Sequence, residues 1–439
     1  MAYYSNSSHA NTEAIVMYLD MNSFFAGCEQ QRNPELRGKP VGVVTYDSPF
    51  AAVIAPSIEA KKFGVKTGMR LNECRELCPQ IIPITTHPAW YRQVHADIMA
   101  ILHNYCDDVV AKSIDEAAMN FTSYRLVYKD FAEIARKIKA DIRCKHDYLT
   151  CSIGIAPNTF LAKLGTELQK PDGLIQITPE NIDMYLARLQ LTDLPGIASK
   201  NERRLRLTGI QTPVQMRHTS AALLRKVFGG VAGDYWHSRL NFGEVDLRQG
   251  ENRTMSATRT VSRAQRESPQ LLESLLISLC TRLEQRMVKQ GVFCKEITFY
   301  IRYKDNTGWD TKIRLADPLQ DATEMRHYIE ERMNEFLNSH NLPTMFTDKT
   351  QSIGVGIQQF VSDKVMQYSL FDNRMQKDKL RKVMYGIKDK YGKNIVRKGS
   401  ELFAPNEMKD AIGFGSVRDM VMLDDGEIRN KYLLEEDEY

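Results

Sequence analysis

Three carboxylates, held in two short motifs far apart in the chain, are the side chains whose types and spacing best suit chemistry. Residues 18–25 read YLDMNSFF and contain Asp20, and residues 113–117 read SIDEA and contain Asp115 and Glu116. A short apolar run precedes each motif, which predicts a β-strand that ends at the carboxylate. At such a position a sheet can present a metal ligand without burying it unpaired.

Two such carboxylates on neighbouring strands would form a site made only of oxygen ligands. Magnesium prefers one or two carboxylates together with substrate phosphates. A pair of metal ions stabilises the attacking and the leaving oxygen of a phosphoryl transfer. The two motifs together therefore indicate nucleotidyl transfer.

Each motif taken alone also has a simpler interpretation. An aspartate that ends a strand is often the N-cap of the next helix, and adjacent acids in a hairpin are commonly solvated. Neighbouring residues on a regular strand face opposite sides of the sheet. Asp115 and Glu116 can therefore reach one pair of metal ions only if the strand bends or bulges there.

The surrounding sequence predicts the elements that would position these motifs. Before residue 179 the pattern predicts a mixture of strands and helices, in this order: strand 15–20, helix 23–31, strand 41–45, helix 58–63, helix 89–106, hairpin 109–122, helix 130–144 and strand 150–155. Such alternation is typical of α/β or α+β folds.

The second half of the chain has a different texture. From about residue 179 to 243 the pattern is wholly helical, and a polar basic stretch then leads into a last domain. That domain is predicted to have the order βαββαβ, as strand 256–262, helix 270–290, strands 295–303 and 311–315, helix 320–338 and strand 351–358. From residue 361 onward we expect a tail.

Composition places few limits on function. The 439 residues exceed what one core usually serves, so two to four domains are expected. A net charge of +4 permits a nucleic-acid partner without arguing for one. The eight cysteines include no CxxC pair, which argues against zinc and for free thiols in a reducing cytosol. With no signal peptide and no apolar stretch long enough to cross a bilayer, the sequence predicts a cytoplasmic protein without membrane contact.

The two acidic motifs, taken in order and with their spacing, resemble those of the Y-family, or translesion, DNA polymerases. The first resembles D-x-D/N-x-F-F/Y, the second S-x-D-E-A, and the resemblance runs from about residue 15 to 373. It implies an α+β multidomain fold shaped as a right hand, similar to bacterial DNA polymerase IV and the catalytic subunit of DNA polymerase V. The implied divisions are a palm (1–31 and 88–178), fingers (32–87), a helical thumb (179–247), a linker (248–254), a βαββαβ little finger (255–361) and a tail (362–439).

The resemblance also implies roles for the motif residues. Asp20, Asp115 and Glu116, completed by the Met21 carbonyl, would hold two Mg²⁺ ions at each active site. Phe25 matches the steric gate, a ring packed where a ribose 2′-hydroxyl would lie, because excluding one hydroxyl by shape favours deoxynucleotides. The adjacent Phe24 is assigned to the core and to the surroundings of the triphosphate.

The triphosphate contacts that the family implies are less complete in this chain. The family often shows a segment like YEARKFGV, and residues 58–65 read IEAKKFGV here. Lys61 keeps the positive charge but loses the fork of an arginine, and Ile58 cannot donate a hydrogen bond. Lys170 matches a second phosphate-binding lysine, although a surface lysine is the ordinary interpretation. The changed segment resembles polymerase V more than polymerase IV.

Further residues resemble DNA-binding and partner-binding elements. Residues 194–197 read LPGI, a helix-hairpin-helix turn in which Gly196 and Ile197 would let backbone N–H groups approach a phosphate. Residues 229–233 are a weaker second copy. Arg259 and Arg263 would supply phosphate contacts near the last domain, although scattered basic residues are more often a solvated face.

The segment 367–371, QYSLF, resembles the QxxLF peptide by which bacterial polymerases bind the sliding clamp. Leu370 and Phe371 would fill an apolar pocket on the clamp, and Gln367 would hydrogen-bond to its rim. A five-residue pattern also arises easily by chance.

The implied function is low-fidelity, template-directed DNA synthesis past damaged bases, with primer–template DNA and deoxynucleoside triphosphates as substrates. The family resemblance also suggests damage-induced expression, as part of an SOS response. Two alternatives stay open: a lapsed polymerase that only binds DNA and the clamp, and a palm-fold nucleotidyl cyclase. The sequence leaves undecided which lesions are bypassed, whether an accessory subunit is required, and whether the chain is closer to polymerase IV or to polymerase V.

Overall fold

The computed structural model describes residues 12–246, 253–266, 268–368, 373–392, 395, 396, 398 and 399. The described residues divide into two compact units, one of residues 12–246 and the other of the described residues between 253 and 399. Each unit has its own hydrophobic core, and each is described below by itself.

The first unit mixes strands and helices up to residue 176 and is helical after it. Its strands are β1 (Val16–Met21), β2 (Val41–Val44), β3 (Val53–Pro56), β4 (Ile82–Thr85), β5 (Val109–Ala111), β6 (Glu116–Asn120), β7 (Cys151–Ala156) and β8 (Leu174–Gln176). Its helices are α1 (Phe24–Arg32), α2 (Ile58–Lys62), α3 (Leu71–Leu77), α4 (Pro88–His103), α5 (Phe131–Lys145), α6 (Thr159–Leu168), α7 (Ile182–Leu186), α8 (Ser199–Leu207), α9 (Pro213–His218), α10 (Ala221–Phe228) and α11 (Val231–Leu240).

A five-stranded sheet with the order β5-β6-β1-β7-β8 forms the centre of this unit. The central strand β1 is antiparallel to both neighbours, β6 and β7. Its side chains alternate between two cores: Met17 and Leu19 pack with α4 and α5, whereas Val16 and Tyr18 pack with α6. The alternation follows from the two-residue period of a strand. It fixes the register, because a shift by one residue would exchange the two faces.

A glycine in β7 lets α6 lie close to the sheet. A side chain added at Gly154 would overlap the Ala162 carbonyl oxygen of α6, so only hydrogen fits between strand and helix. This contact holds α6 firmly over β1 and β7.

Two smaller parts complete the first unit. A three-stranded sheet, β3-β2-β4, encloses a small core with α2 and α3. The helices α8–α11 gather around the buried side chains of Leu205, Leu224 and Trp236, within the same core that covers α6.

The second unit confirms the predicted βαββαβ order and the α+β multidomain class. Its elements are β9 (Thr254–Thr260), α12 (Arg263–Arg266), α13 (Pro269–Gln290), β10 (Val292–Tyr303), β11 (Gly308–Leu319), α14 (Ala322–His340), β12 (Thr350–Ser362) and α15 (Arg374–Tyr391). The strands form an antiparallel sheet with the order β11-β10-β12-β9, and α13 and α14 cover one face of it.

The helix α15 lies where the sequence predicted a tail. It is attached to the unit through a buried group of charges, named here the α15 ion cluster, made of Glu284, Asp321, Asp378, Arg381 and Lys398. The Arg381 guanidinium contacts Asp378 at 2.5 Å and Asp321 at 2.8 Å, and Lys398 Nζ lies 2.6 Å from Glu284 Oε2. The segment that follows the last strand therefore includes a helix, which ion pairs and the buried Tyr385 ring attach to the unit.

No helix in the described parts of the chain combines the length and the apolar character needed to cross a membrane.

Candidate active site

The sheet register brings two of the three predicted carboxylates together. Asp20 lies near the end of β1, directly opposite Glu116, the first residue of β6. The Met21 N–H donates to the Asp115 carbonyl oxygen at 2.9 Å, so the ladder continues one step beyond the strand pair. Both motifs therefore meet where the neighbouring strands β1 and β6 end and begin, although 94 residues lie between Asp20 and Asp115.

The chain bends where the regular strand geometry would have separated Asp115 from Glu116. Asp115 precedes β6, in a turn where the backbone N–H groups of Lys112 and Ser113 both donate to the Glu116 carbonyl oxygen. The Ser113 hydroxyl donates to the Asp115 carboxylate. The geometric condition set by the sequence, a bend between the two acids, is met.

A buried histidine supports this turn from below. His95 on α4 donates from Nδ1 to the Ile114 carbonyl oxygen at 2.7 Å, and burial lowers the pKa of His95. The imidazole is therefore a neutral donor at physiological pH, and it fixes the backbone between the two acidic residues.

Two lysines neutralise the carboxylates. Lys170 Nζ lies 3.0 Å from Asp20 Oδ1, and Lys163 Nζ lies 2.5 Å from Glu116 Oε1. Asp20, Asp115, Glu116, Lys163 and Lys170 are named here the strand-end cluster. Each ammonium occupies a position beside a carboxylate where a cation is favourable, and neither lysine side chain is fully buried.

Burial and charge act in opposite directions on the three carboxyl groups. Burial raises the pKa of Asp20 to about 7, because the opposing effect of Lys170 only partly offsets the desolvation, and Glu116 and Glu167 add to the rise. Burial also raises the pKa of Asp115. Burial pushes the pKa of Glu116 upward, but Lys163 outweighs it and leaves the pKa of Glu116 lowered. Asp20 therefore gains and loses its proton near neutral pH.

The donor set fits divalent cations of the magnesium type. It offers carboxylate and backbone oxygens without sulfur, which such cations prefer, and two of its acids already hold ammonium groups. Among the described residues, no three acidic, histidine or cysteine side chains are grouped as ligands of one metal ion. The three carboxylates would therefore have to exchange their present partners and turn toward a common point.

The loop that carries Lys170 is tied to the end of β1. The Asn22 side chain accepts from the Asp172 N–H at 2.7 Å and donates to the Ser152 hydroxyl at 3.1 Å. Ser152 in turn accepts from the Gly173 N–H at 3.2 Å. Since Asn22 lies two residues after Asp20, this network fixes the lysine-bearing loop relative to the carboxylate.

Both rings of the first motif are buried. Phe24 is 3% and Phe25 6% exposed, with ring centroids 5.7 Å apart. Phe25 also stacks on Tyr91 of α4, with centroids 4.7 Å apart and ring planes 26° apart. Burial alone therefore does not separate a gate ring from a core ring, and the assignment of the gate to Phe25 stays a prediction.

The lysine from α2 is electrostatically linked to this site. Desolvation lowers the pKa of Lys61, the neighbouring Lys170 ammonium lowers it further, and Asp20 opposes the shift. The structure thus brings Lys61 within electrostatic reach of Lys170 and Asp20. The predicted binding of a triphosphate by Lys61 and Lys170 stays a prediction.

Comparison with known proteins decides the family. Residues 19–167 match the impB/mucB/samB family, and residues 252–370 match the C-terminal domain of the same family. A DNA polymerase IV of Bacteroides fragilis is 30% identical over 296 residues, which cover 67% of this chain and 80% of that protein. This chain belongs to the Y family of translesion DNA polymerases.

Other relatives extend the match along the chain. A DNA polymerase IV of Akkermansia muciniphila is 32% identical over 66% of this chain and 80% of that protein. One from Dehalococcoides mccartyi is 28% identical over 88% of this chain and 96% of that protein. The predicted recognition of the family is confirmed.

Solved structures agree on the fold. A Y-family DNA polymerase chimera of Dbh and Dpo4 has a TM-score of 0.66 at 24% identity, covering 79% of this chain and 99% of that one. An insertion ternary complex of Dbh DNA polymerase has a TM-score of 0.56 at 25% identity with the same coverage.

In this Y-family polymerase the predicted helix-hairpin-helix turn is a well-formed helix junction. Gly196 has a positive φ of 95°, a conformation that glycine adopts without strain. Ile197 is buried, and its N–H donates to the Leu194 carbonyl oxygen at 2.9 Å. Ile197 therefore shapes the turn from within. An open groove of about 940 Å³ extends from this turn to Lys163 of the strand-end cluster.

Of the two arginines predicted to bind DNA near the second unit, only Arg259 has a described side chain. Arg259 lies on the same face of β9 as Met255 and Ala257, which are buried, so by register it lies on the helix-covered side of the sheet. Arg302 lies on the opposite, open side, since Ile301 beside it is buried. Arg259 thus does not share the open face with Arg302. The side chain of Arg263 falls outside the described part of the chain.

The predicted clamp peptide is only partly described. Gln367 is exposed, whereas Leu370 and Phe371 lie outside the described residues.

Sequence reasoning missed three residues of the site: Lys163, Asn22 in its role as a hydrogen-bonding hub, and Ser152. Lys163 carried a signal that could have been used, since it is a single cation between Ala162 and Leu164 in an otherwise apolar helix turn. A buried helix face rarely carries a charge without a partner. Asn22 and Ser152 gave no comparable signal, because their partners follow only from the tertiary fold.

Proposed function

We propose that this Y-family polymerase performs low-fidelity, template-directed DNA synthesis past damaged bases, by nucleotidyl transfer that depends on two Mg²⁺ ions. The single observation that carries the proposal is the pairing of Asp20 with Glu116 at the ends of two neighbouring strands. Each carboxylate lies beside a lysine that a metal ion could replace. Its relatives are named DNA polymerase IV.

Asp20, Asp115, Glu116 and the Met21 carbonyl would hold the metals. Bound there, the metals would supply charge stabilisation for the attacking and leaving oxygens. The chain's own residues would orient the groups around that centre. His95 and Ser113 hold the turn that carries Asp115, and they act without touching the substrate.

Lys61 and Lys170 would bind the triphosphate, in the region that also includes Phe24. Two facts support this: Lys170 is fixed relative to Asp20 through the Asn22 network, and Lys61 is linked electrostatically to both. A lysine binds phosphate as a point charge, without the two-pronged geometry of arginine. The triphosphate would thus be held by charge, with loose control of its orientation.

Phe25 would act as the steric gate against ribonucleotides. The ring is buried on one side against Tyr91, so it cannot retreat from a 2′-hydroxyl without moving α4. Exclusion by shape needs such a fixed wall.

Double-stranded DNA would follow the groove from the strand-end cluster to the turn at Gly196. Backbone N–H groups at the start of α8 would contact phosphates there, a grip that reads no sequence. In the second unit the open sheet face, with Arg302, would contribute further phosphate contacts, while the contributions of Arg259 and Arg263 remain predictions.

The peptide 367–371 would dock on a sliding clamp. Replacing both Leu370 and Phe371 by alanine should leave extension of a short primer unchanged and remove the stimulation by a loaded clamp. Equal stimulation of both proteins would show that docking occurs elsewhere. The same proposal includes low fidelity, which the family implies, and a cytoplasmic location, which rests on the sequence. Whether an accessory subunit is required stays open, and none of these three is needed for the chemistry.

Primer extension by the purified protein, with and without Mg²⁺, tests the proposal. An undamaged template should be copied with frequent mismatches, and a panel of damaged templates should identify the lesions that are bypassed. Failure to extend any primer while DNA is bound would favour a lapsed polymerase. Formation of a cyclic nucleotide without a template would favour the cyclase.

A further inference from the structure

A buried carboxylate outside the strand-end cluster also lies in the first unit. Glu29 is on α1, four residues after Phe25, and only 3% of it is exposed. Residues four apart on a helix lie on the same face. Glu29 and the Phe25 ring therefore both face the helix that packs beside α1.

That helix supplies both partners of Glu29. The Tyr91 hydroxyl lies 2.5 Å from Glu29 Oε1, and Nδ1 of His87 lies 2.9 Å from the same oxygen. Burial raises the pKa of Tyr91 and the Glu29 charge raises it further, so the phenol keeps its proton and donates. Hydrogen bonds to a carboxylate are short and strong.

Tyr91 joins this carboxylate to the ring of Phe25. Its side chain is fully buried, and its ring stacks on Phe25 with centroids 4.7 Å apart. A phenylalanine ring has no hydrogen bond of its own, so its position depends on the surfaces against it. Within the described part of the chain, Tyr91 is the ring that stacks on the proposed gate, and its hydroxyl is one of the two polar partners of Glu29.

We propose that Glu29 and His87, acting through Tyr91, are positioning residues that hold the Phe25 ring and thereby set the discrimination against ribonucleotides. The inference rests on the proposed function, since it requires Phe25 to be the steric gate. It adds three residues that touch neither substrate nor metal.

A purely structural role for Glu29 explains the arrangement less well. Burying a carboxylate is costly, and an apolar residue of similar size often stabilises a core as well or better. A fully bonded polar group does, however, fix geometry. A gate needs fixed geometry, because a displacement of a few tenths of an ångström admits or rejects a hydroxyl.

The experiment compares kcat/KM for deoxynucleotide and ribonucleotide incorporation opposite the same template base. Tyr91→Phe keeps the stacked ring and removes the hydroxyl, and Glu29→Ala removes the acceptor. In each variant we expect the preference for deoxynucleotides to fall about 3- to 10-fold, mainly through faster ribonucleotide use. Loss of the hydrogen bond to the Glu29 carboxylate lets the Tyr91 ring move, but the ring still stacks on Phe25, so the gate is only partly released. Glu29→Gln keeps an accepting oxygen and should retain most of the preference.

Trp90→Phe is the matched control. The Trp90 indole N–H donates to the Cys28 carbonyl oxygen at 3.0 Å, so it also joins α4 to α1, but no stacking joins its ring to Phe25. Its loss should lower stability without changing the ratio of the two substrates. A similar fall in preference in Trp90→Phe would show that general loosening of α4 is responsible and would overturn the inference.

The combination with Phe25→Ala separates the inference from the proposed function. If Phe25→Ala leaves the preference unchanged, the gate assignment itself is wrong. If Phe25→Ala relaxes the preference but Tyr91→Phe and Glu29→Ala match the wild type, the gate is right and the inference is wrong. If both are right, adding Tyr91→Phe to Phe25→Ala should cause no further fall, because no ring remains to be positioned. Thermal melting identifies any variant that does not fold, and the conservative Tyr91→Phe then carries the test.

Discussion

The strand-end cluster and the α15 ion cluster are both built from buried acids and basic partners, yet they are built differently. In the α15 ion cluster, Arg381 is 5% exposed and its rigid fork contacts three carboxylates, those of Asp378, Asp321 and Glu284. Tyr385 also donates to Glu284 at 2.9 Å. In the strand-end cluster, Asp20 and Glu116 each face one lysine ammonium on a flexible, partly exposed side chain, and Asp115 accepts from the Ser113 hydroxyl.

The difference shows in the pKa values. Burial pushes the pKa of Asp321 upward, but Lys398 and Arg381 outweigh it and lower the pKa of Asp321 to about 2. Burial raises the pKa of Asp20 to about 7 despite Lys170. The first acid is fully compensated by its permanent partners, and the second is not. An uncompensated buried acid is a place where a further cation can bind.

The largest effect should come from removing an acid of the strand-end cluster. Asp20→Ala or Asp115→Ala should reduce primer extension by more than about 100-fold, because a metal-held contact in the transition state contributes several kcal/mol. Binding of primer–template DNA, measured by fluorescence anisotropy, should stay nearly unchanged. Retention of more than about a hundredth of the wild-type rate would remove that residue from the metal site.

The second effect concerns the pH dependence of stability without metal. The pKa of folded Asp20, about 7, exceeds its ordinary value of 3.8, so the folded state keeps a proton that the unfolded chain loses between about pH 4 and 7. The stability that this group contributes is complete below that window and is lost as the pH rises through it. Asp20→Asn, which cannot titrate, should therefore gain up to about 4 kcal/mol over wild type between pH 4 and 8 in the presence of a chelator.

Thermal unfolding of the first unit measures this gain in stability, and added Mg²⁺ provides a second comparison of the two proteins. At pH 8 the metal should raise the melting temperature of the wild type and leave Asp20→Asn nearly unaffected. A gain that does not depend on pH would show that Asp20 is as well compensated as Asp321.

The third effect tests the compensated cluster. Arg381→Ala should lower the free energy of unfolding of the second unit by about 3 kcal/mol, because it leaves buried carboxylates with fewer partners. Lys379→Ala, at an exposed position of the same helix, is the control and should change it by less than about 0.5 kcal/mol. Equal effects of the two substitutions would show that the α15 ion cluster does not attach the helix.

The smallest effect should come from an exposed ion pair, which serves as the reference for the two buried clusters. Lys137 on α5 pairs with Glu133 at 2.9 Å, and both side chains are more than half exposed. Lys137→Ala should cost no more than about 0.5 kcal/mol, as solvent screens such pairs. Urea titration at low and high salt checks this, and a cost that persists at high salt would contradict it.

The same contrast explains what could be predicted from the sequence. Asp20 lies near the end of the apolar strand β1, and Glu116 begins β6 one turn after the apolar strand β5. Their meeting at the ends of neighbouring strands could therefore be predicted. Helix α15 could not be predicted as part of the second unit, because the residues that it buries include Asp378, Arg381 and Lys388. A pattern search assigns such residues to solvent, and the acids that pair with them lie about 60 to 100 positions earlier in the chain.

Within the site too, some residues could be predicted from the sequence, and others depend on contacts that only the tertiary fold creates. The acids were predictable because their chemistry is carried by adjacent residues, such as Asp115 and Glu116. Lys163 and the Asn22 hub depend on α6 and on the loop at 170–173 reaching the end of β1, which only the tertiary fold determines. Short strands such as β8 escaped prediction because three residues carry too little periodicity.

The position of β1 between two cores has a consequence for the kinetics of opening. Its amides are bonded on one side to β6 and on the other to β7, and its two faces are sealed by different helices. No partial opening frees such a strand, so its amides should exchange with deuterium only when the whole unit unfolds. The strand that carries Asp20, the proposed metal ligand, should thus be the slowest-exchanging part of the unit. The tolerance that a distorted template requires must come from the loops and side chains around it.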